Sequence, residues 1–123
     1  MYPHYYKNIQ GWFTFPNLYS QIANHYPDNS HFVEIGVWKG KSAAFMAVEI
    51  LNSQKNIKFD CIDTWDGSEE HVDPTSGFFE PELVNNPDYL YNHLLWCNYI
   101  FNKKSNVILY ESNILFINCI IVL

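Results

Sequence analysis

Apolar positions in the first third of the chain predict a helix followed by a strand. Residues 16–26 repeat an apolar side chain every four positions, as a short amphipathic helix does. These positions are Leu18, Ile22 and Tyr26. The run from His31 to Ile35 is broken only by Glu34 and leads directly into Gly36. A short apolar run that enters a glycine turn is typical of a buried strand, so we predict the first strand here.

The pattern continues by alternating helix and strand. Residues 39–52 are rich in alanine and other strong helix formers with almost no polar face, which predicts a helix packed on a sheet. Residues 57–63 alternate in the manner of a second strand, and residues 89–101 return to helical spacing. Residues 107–110 are short and β-branched enough for a third strand. This order favours an α/β fold with parallel strands and right-handed crossovers.

Two stretches stand outside this alternation. Residues 68–88 hold three prolines, a glycine and several acids, which predicts a long connection within the domain. Long connections in compact domains are often functional. The last ten residues, Ile114 to Leu123, form the longest apolar stretch, interrupted by Asn118. The tail fits an edge strand or a helix equally well.

Composition limits the domain count and the kinds of partner. A chain of 123 residues that is 48% hydrophobic supports a single domain, with a helical segment at 1–30, a core at 31–112 and the apolar tail at 113–123. A net charge of −6 without arginine leaves no basic stripe for phosphates, so we expect no nucleic acid ligand. Three distant cysteines indicate neither a disulfide framework nor a zinc site. With no signal peptide and no spanning segment in the pattern, we expect a cytoplasmic protein without a membrane partner.

The junction between the first strand and the next helix carries the candidate chemistry. Gly36 lets the chain leave the strand, and Gly40 lets a ligand approach the start of the helix. The amides around Ser42 favour a carboxylate or similar anion. Asp63 ends the second strand, where an acidic side chain in a βαβ unit can accept two ribose hydroxyls. Each feature alone is more often an ordinary turn or cap, but together and in this order they predict a nucleoside-bearing ligand.

Trp38 narrows the choice of cofactor. A dinucleotide site needs glycines in the pattern G-x-G-x-x-G, and an indole at the middle position obstructs the approach of a pyrophosphate. This disfavours NAD. S-adenosylmethionine joins an amino acid to an adenosine without a phosphate, so its binding tolerates the bulk of Trp38.

Two motifs support a family resemblance. Glu34-x-Gly36-x-x-x-Gly40-x-Ser42 resembles the first motif of class I S-adenosylmethionine-dependent methyltransferases. Asp63-Thr64-Trp65-x-Gly67 is similar to the acidic motif after their second strand, in the O-methyltransferase-like branch. The resemblance spans roughly residues 12–112. It implies the N-terminal half of a Rossmann-like methyltransferase fold, with a three-stranded parallel sheet in the order 3-2-1 and flanking helices on both faces.

The same resemblance implies roles for individual residues. Glu34, Gly36 and Gly40 would line the methionyl and ribose end of S-adenosylmethionine, and Ser42 would contact its carboxylate region. Asp63 would hold the ribose hydroxyls. A further residue, Trp65, either lies along the adenine or packs beneath the long connection.

The resemblance fades after residue 112. Family members continue through a fourth strand, whereas the tail here follows the third strand too closely to include the intervening helix. We therefore expect a truncated chain with an unrelated tail. Without a fourth strand the first strand becomes an edge, and no proline or lysine blunts it. Either the tail folds back over that edge or the chain self-associates, and we expect an oligomeric or aggregation-prone protein.

The expected activity is methyl transfer to an unidentified small-molecule acceptor, and truncation leaves the activity of this chain open. No residue is assigned as a catalytic base. Two alternatives are a non-catalytic remnant that binds cofactor or self-associates, and a dinucleotide-dependent enzyme, which Trp38 disfavours. The sequence Glu69-Glu70-His71-x-Asp73 could ligate a metal, but acids in a polar loop are usually solvated and no second histidine stands at ligand spacing. We therefore predict no metal site.

Overall fold

A computed structural model describes residues 1–93 and the backbone of residues 106–111 and 120–122. Its sheet has four strands in the order β3-β2-β1-β4. The strands are β1 (His31–Ile35), β2 (Lys58–Asp63), β3 (Asn106–Glu111) and β4 (Ile120–Val122). β2 pairs in parallel with both β1 and β3, while β4 runs antiparallel to β1. The predicted α/β class and parallel pairing are confirmed.

Of the helices in the described residues, the first two lie close to their predicted positions. The helices are α1 (Pro16–His25), α2 (Lys41–Ser53), α3 (Glu69–Val72) and α4 (Pro81–Asn85), with a 3-10 turn at Tyr6–Asn8 and helical residues at 89–93. The rest of the helix predicted at 89–101 lies outside the described residues. Both α3 and α4 fall within the connection, where the pattern predicted no helix. Within the described part of the chain, no helix combines the length and apolarity needed to cross a bilayer.

The buried face of α1 differs from the predicted one. Leu18 is 48% exposed, whereas Tyr19, Ile22 and Ala23 are buried. These three residues follow the three-and-four spacing of a helix stripe, which a strict spacing of four misses by one position. α1 packs against α2. Tyr26 falls just past the helix and packs edge-on against Phe32, with 5.8 Å between ring centroids.

The core lies between α2 and one face of the sheet. In register, Phe32 neighbours Phe59 and Glu34 neighbours Cys61, so these four side chains share a face. All four are buried, together with most of α2 from Ala43 to Val48. The sequence therefore places one carboxyl group, that of Glu34, among apolar side chains at the carboxyl end of β1.

Three residues of the tail, 120–122, form an edge strand, which is one of the two predicted forms. β4 pairs Ile120, Ile121 and Val122 with residues 33–35 of β1. Of the two predicted outcomes for the edge of β1, the structure therefore shows the first, because three residues of the tail fold back along it. Residues 112–119 and 123 lie outside the described residues, and self-association stays a prediction.

Candidate functional site

The loop between β1 and α2 repeatedly takes left-handed backbone conformations. Gly36, Trp38 and Gly40 have φ values of 80°, 52° and 82°. Glycine adopts these angles without strain, but Trp38 does not. The amide of Gly36 donates to the carbonyl of Ile62 at 2.9 Å, which extends the β1–β2 pairing into the loop. The loop therefore begins fixed to the sheet and holds a strained residue at its centre.

Asp63 holds this loop in place. Its Oδ2 accepts hydrogen bonds from the backbone amides of Val37 at 2.5 Å and Trp38 at 2.9 Å. Its Oδ1 accepts one from the amide of Trp65 at 3.1 Å. Hydrogen bonds to an ionised acceptor are stronger than neutral ones, so the carboxylate compensates for the strain at Trp38. The acidic residue at the end of β2 thus joins the two parallel strand ends.

Glu34 lies at the same end of the sheet in a different environment. The residue is 1% exposed. Ser42 donates a hydrogen bond to its Oε1 at 2.5 Å, and the Tyr19 side chain also hydrogen-bonds the carboxyl group. Its Oε2 is buried and has no hydrogen-bond partner among the described residues. Burial raises the pKa of Glu34 to about 7, against the lowering effect of the two hydrogen bonds, and the charge of Asp63 raises it further.

The N-terminus of α2 is electropositive, in contrast to the carboxyl group of Glu34. Its N-cap is Gly40, which has no side chain with which to cap the helix. The first amides of a helix have no partner within the helix and carry the positive end of its dipole. The amino group of Lys41 points elsewhere, to the carbonyl of Gly11 at 2.7 Å. Ser42 links this terminus to Glu34, so amide donors and an unpartnered carboxyl oxygen lie close together.

The structure brings most of the predicted site residues together. Glu34, Gly36, Gly40, Ser42 and Asp63 all lie at the carboxyl ends of β1 and β2 or at the start of α2. This is the edge where open parallel sheets bind ligands.

Trp65, the sixth predicted site residue, packs in the hydrophobic core. It is 4% exposed and contacts Tyr91 at 5.8 Å between ring centroids. Of its two predicted roles, the structure favours packing beneath the connection over stacking on an adenine, because its faces are already covered.

A buried polar cluster beside the loop was missed by sequence reasoning. Lys39 is buried, and its Nζ donates to Oε1 of Gln10 at 2.5 Å and forms an ion pair with Glu80. Beside it, the ring of Trp38 stacks on His71 with 3.8 Å between centroids. The partners of Lys39 lie 29 and 41 residues away in sequence, so local pattern carries no signal for them.

The hydrogen bonds of His71 define its protonation state. Its Nδ1 accepts from the backbone amide of Ser68 at 3.1 Å, so the neutral ring carries its proton on Nε2. Burial lowers the pKa of His71, which favours this neutral form. Within the described residues, no group of three or more histidine, cysteine or acidic side chains converges as a metal site requires.

No protein-family model matches this chain, and no curated protein matches it.

Proposed function

We propose that this protein binds S-adenosylmethionine at the β1–α2 junction and acts as a methyltransferase on a small-molecule acceptor. The observation that carries the proposal is the buried Oε2 of Glu34, which has no partner within the described residues and lies beside the uncapped start of α2. A buried carboxyl oxygen without a donor is costly, and a ligand that supplies the donor removes that cost.

The donor set fits the amino-acid end of the cofactor. An α-amino acid presents a carboxylate and an ammonium group a few ångströms apart. The amides at the start of α2 suit the carboxylate, and Glu34 suits the ammonium group. Ser42 bridges the two subsites through its hydrogen bond to Glu34. A diphosphate offers negative charge alone and leaves Glu34 without a donor, which disfavours a dinucleotide.

Asp63 contributes to the proposed nucleoside end through its less occupied oxygen. Oδ2 is engaged by two loop amides, whereas Oδ1 has longer local contacts with Trp65 and Thr64, at 3.1 and 3.5 Å. A carboxylate oxygen can accept more than one hydrogen bond, so Oδ1 retains capacity for a ribose hydroxyl. The role of Asp63 is then double: it holds the loop and it accepts from the ligand.

The proposed chemistry asks little of the protein beyond positioning. When bound, the cofactor supplies an electrophilic methyl group on a sulfonium centre. Glu34, Ser42 and Asp63 would bind and orient it, and none of them is assigned as the base for a hydroxyl acceptor. Positioning two reactants is itself a large catalytic contribution.

Calorimetric titration tests the proposal with S-adenosylhomocysteine, adenosine and NAD as separate ligands. We expect S-adenosylhomocysteine to bind more tightly than NAD. Glu34→Gln should weaken S-adenosylhomocysteine about tenfold or more and leave adenosine unchanged, because adenosine lacks the ammonium group. Glu49→Gln is the matched control, since Glu49 lies on α2 and bonds His4 instead. Equal or tighter binding of NAD would overturn the proposal.

A further inference from the structure

The long connection packs directly on the candidate ligand loop. We define the lid as residues 67–88, which include α3 and α4. It meets the loop at two neighbouring positions: His71 stacks on Trp38, and Glu80 pairs with Lys39. Both loop residues lie between Gly36 and Gly40, within the segment proposed to receive the ligand. Whatever separates the lid from the loop therefore also uncovers this segment.

The ion pair between Lys39 and Glu80 holds the lid against the loop and can open. The ammonium group of Lys39 is enclosed by Gln10, by Glu80 and by the rings of Trp38 and Tyr89, at 5.4 and 5.3 Å from their centroids. Buried charge pairs lose much of their Coulomb gain to desolvation. When such a pair separates into water, both charges are hydrated again. Opening is thus less costly than exposing apolar surface of the same size.

The lid fully buries few of its apolar side chains, although the ring of Phe78 meets that of Trp12 with 6.3 Å between centroids. Val72, Phe78 and Val84 are exposed, Phe78 by 61%, while Leu83 is buried. Segments with few buried apolar contacts open at low free energy.

The lid begins with a tight turn at Gly67, which we take as its hinge. Gly67 has a φ of 76°, and a Cβ at this position would lie 2.8 Å from Cδ1 of Leu83 and 3.4 Å from the Trp38 ring. Only glycine permits this return of the chain onto itself. The lid therefore leaves β2 through a tight turn and folds back against the loop.

We infer that residues 67–88 form a lid that opens as a unit when Glu80 leaves Lys39 and His71 leaves Trp38, and that this opening admits the ligand to the β1–α2 loop. The lid itself is argued from contacts within the chain. What it admits rests on the proposed function.

Hydrogen exchange measured by mass spectrometry tests the opening. Glu80→Gln removes the charge on the lid side and leaves the loop sequence intact. We expect exchange to accelerate about tenfold or more both in the lid and in residues 36–42, but not in β1 or β2. Glu82→Gln is the matched control, because Glu82 is an exposed acid in α4, two residues after Glu80 at the N-cap of that helix. Lys39→Met provides a second variant that breaks the pair from the other side.

Binding kinetics separate the lid from the proposed function. The probe is S-adenosylhomocysteine, and its association is followed by tryptophan fluorescence. We expect the association rate constant to be about tenfold higher for Glu80→Gln than for the wild type. Faster exchange in the lid alone, with residues 36–42 unchanged in both variants, would overturn the inference. Binding with an unchanged association rate would also overturn it. If exchange responds as expected but no variant binds the probe, the lid is supported and the proposed cofactor is wrong.

Discussion

The two ends of the parallel strands are built differently. At the amino end, charged groups meet partners: the Lys55 ammonium group donates to three carbonyl oxygens around the end of α1, at 2.6 to 3.0 Å. Asp28 accepts from the amide of Asn56 at 2.6 Å. At the carboxyl end, α2 starts without a side-chain cap and Glu34 keeps a buried oxygen without a partner among the described residues. The charged groups named at the amino end are paired within the chain, although Oδ1 of the buried Asp60 has no hydrogen-bond partner among the described residues. The carboxyl end combines the start of a helix with the unpartnered oxygen of Glu34.

Left-handed backbone conformations occur at both ends but at different residue types. The amino end has Asn29 and Gln54, with φ values of 63° and 58°. The carboxyl end holds five residues with left-handed φ values, at positions 36, 38, 40, 65 and 67, and two of them are tryptophans. Bulky residues adopt such conformations at a cost that the surrounding structure must compensate. Strain and unsatisfied polar groups together are typical of sites that bind ligands. The two tryptophans with left-handed φ values and the unpartnered oxygen of Glu34 therefore distinguish the carboxyl end as the candidate ligand-binding end.

The largest effect that distinguishes the two ends is the pH dependence of stability due to Glu34. Its pKa is about 7 in the folded protein against 4.5 in the unfolded chain. Between these values the folded state keeps a proton that the unfolded state releases, so stability falls as pH rises. From pH 5 to pH 8 we expect Glu34→Gln to gain about 2 to 3 kcal/mol relative to the wild type.

Urea unfolding monitored by tryptophan fluorescence at both pH values measures this difference. His71 and His93 titrate in the same range, and burial lowers both pKa values, which favours folding as pH rises. Both histidines are present in both proteins, so the comparison isolates Glu34. Parallel pH profiles for the two proteins would contradict a buried carboxyl with an unsatisfied oxygen.

The second-largest effect is expected for Asp63, which stabilises the β1–α2 loop and is also proposed to bind the ribose. Asp63→Ala removes the acceptor of the Val37 and Trp38 amides, so we expect a loss of about 2 kcal/mol in the free energy of unfolding. The same variant should weaken binding of S-adenosylhomocysteine by about 1 to 3 kcal/mol. Asp66→Ala is the control, because Asp66 is an exposed acid three residues further on. A folded Asp63→Ala protein with an unchanged dissociation constant would mean that the ribose is held elsewhere.

How far the sequence predicted these features depends on how local their causes are. β1, α2 and β2 follow from short-range apolar patterns, and each lies within about two residues of its predicted bounds. Gly36 and Gly40 were predicted as turn residues because a left-handed turn selects glycine locally. Their grouping with Asp63 followed from the rule that parallel strands present their carboxyl ends at one edge.

The features that were missed have causes distant in sequence. The pairing of Lys39 with Glu80 requires the connection to fold back across 41 residues, and no local pattern encodes it. The pairing of β4 with β1 was predicted only as one of two alternatives, because it joins residues 33–35 to residues 120–122, far apart in sequence. Trp65 was ambiguous because an aromatic side chain packs on a core or on a ligand with the same chemistry. Only the surrounding side chains decide between these two environments.

At the amino end, Lys55→Met should cost stability without affecting ligands. It removes three charge-assisted hydrogen bonds to carbonyls that would otherwise lack partners at the end of α1, and a lysine there also complements the helix dipole. We expect a loss of about 1 to 2 kcal/mol and an unchanged affinity for S-adenosylhomocysteine. Lys7→Met, at an exposed lysine of the N-terminal segment, should change stability by less than about 0.5 kcal/mol. A selective loss of affinity in Lys55→Met would break the division between the two ends.

The smallest effect is expected at His31, also at the amino end. Its Nε2 lies 2.7 Å from Oδ2 of Asp60, and Lys58 approaches the same oxygen at 3.3 Å. Because the His31 side chain is 45% exposed and Lys58 remains when it is removed, His31→Ala should cost only about 0.5 kcal/mol. Removing both partners leaves the buried carboxylate of Asp60 without a cation, so the double variant with Lys58→Ala should lose more than the sum of the two single variants. Additive losses in that double-mutant cycle would show that the two side chains act independently and do not jointly compensate the charge of Asp60.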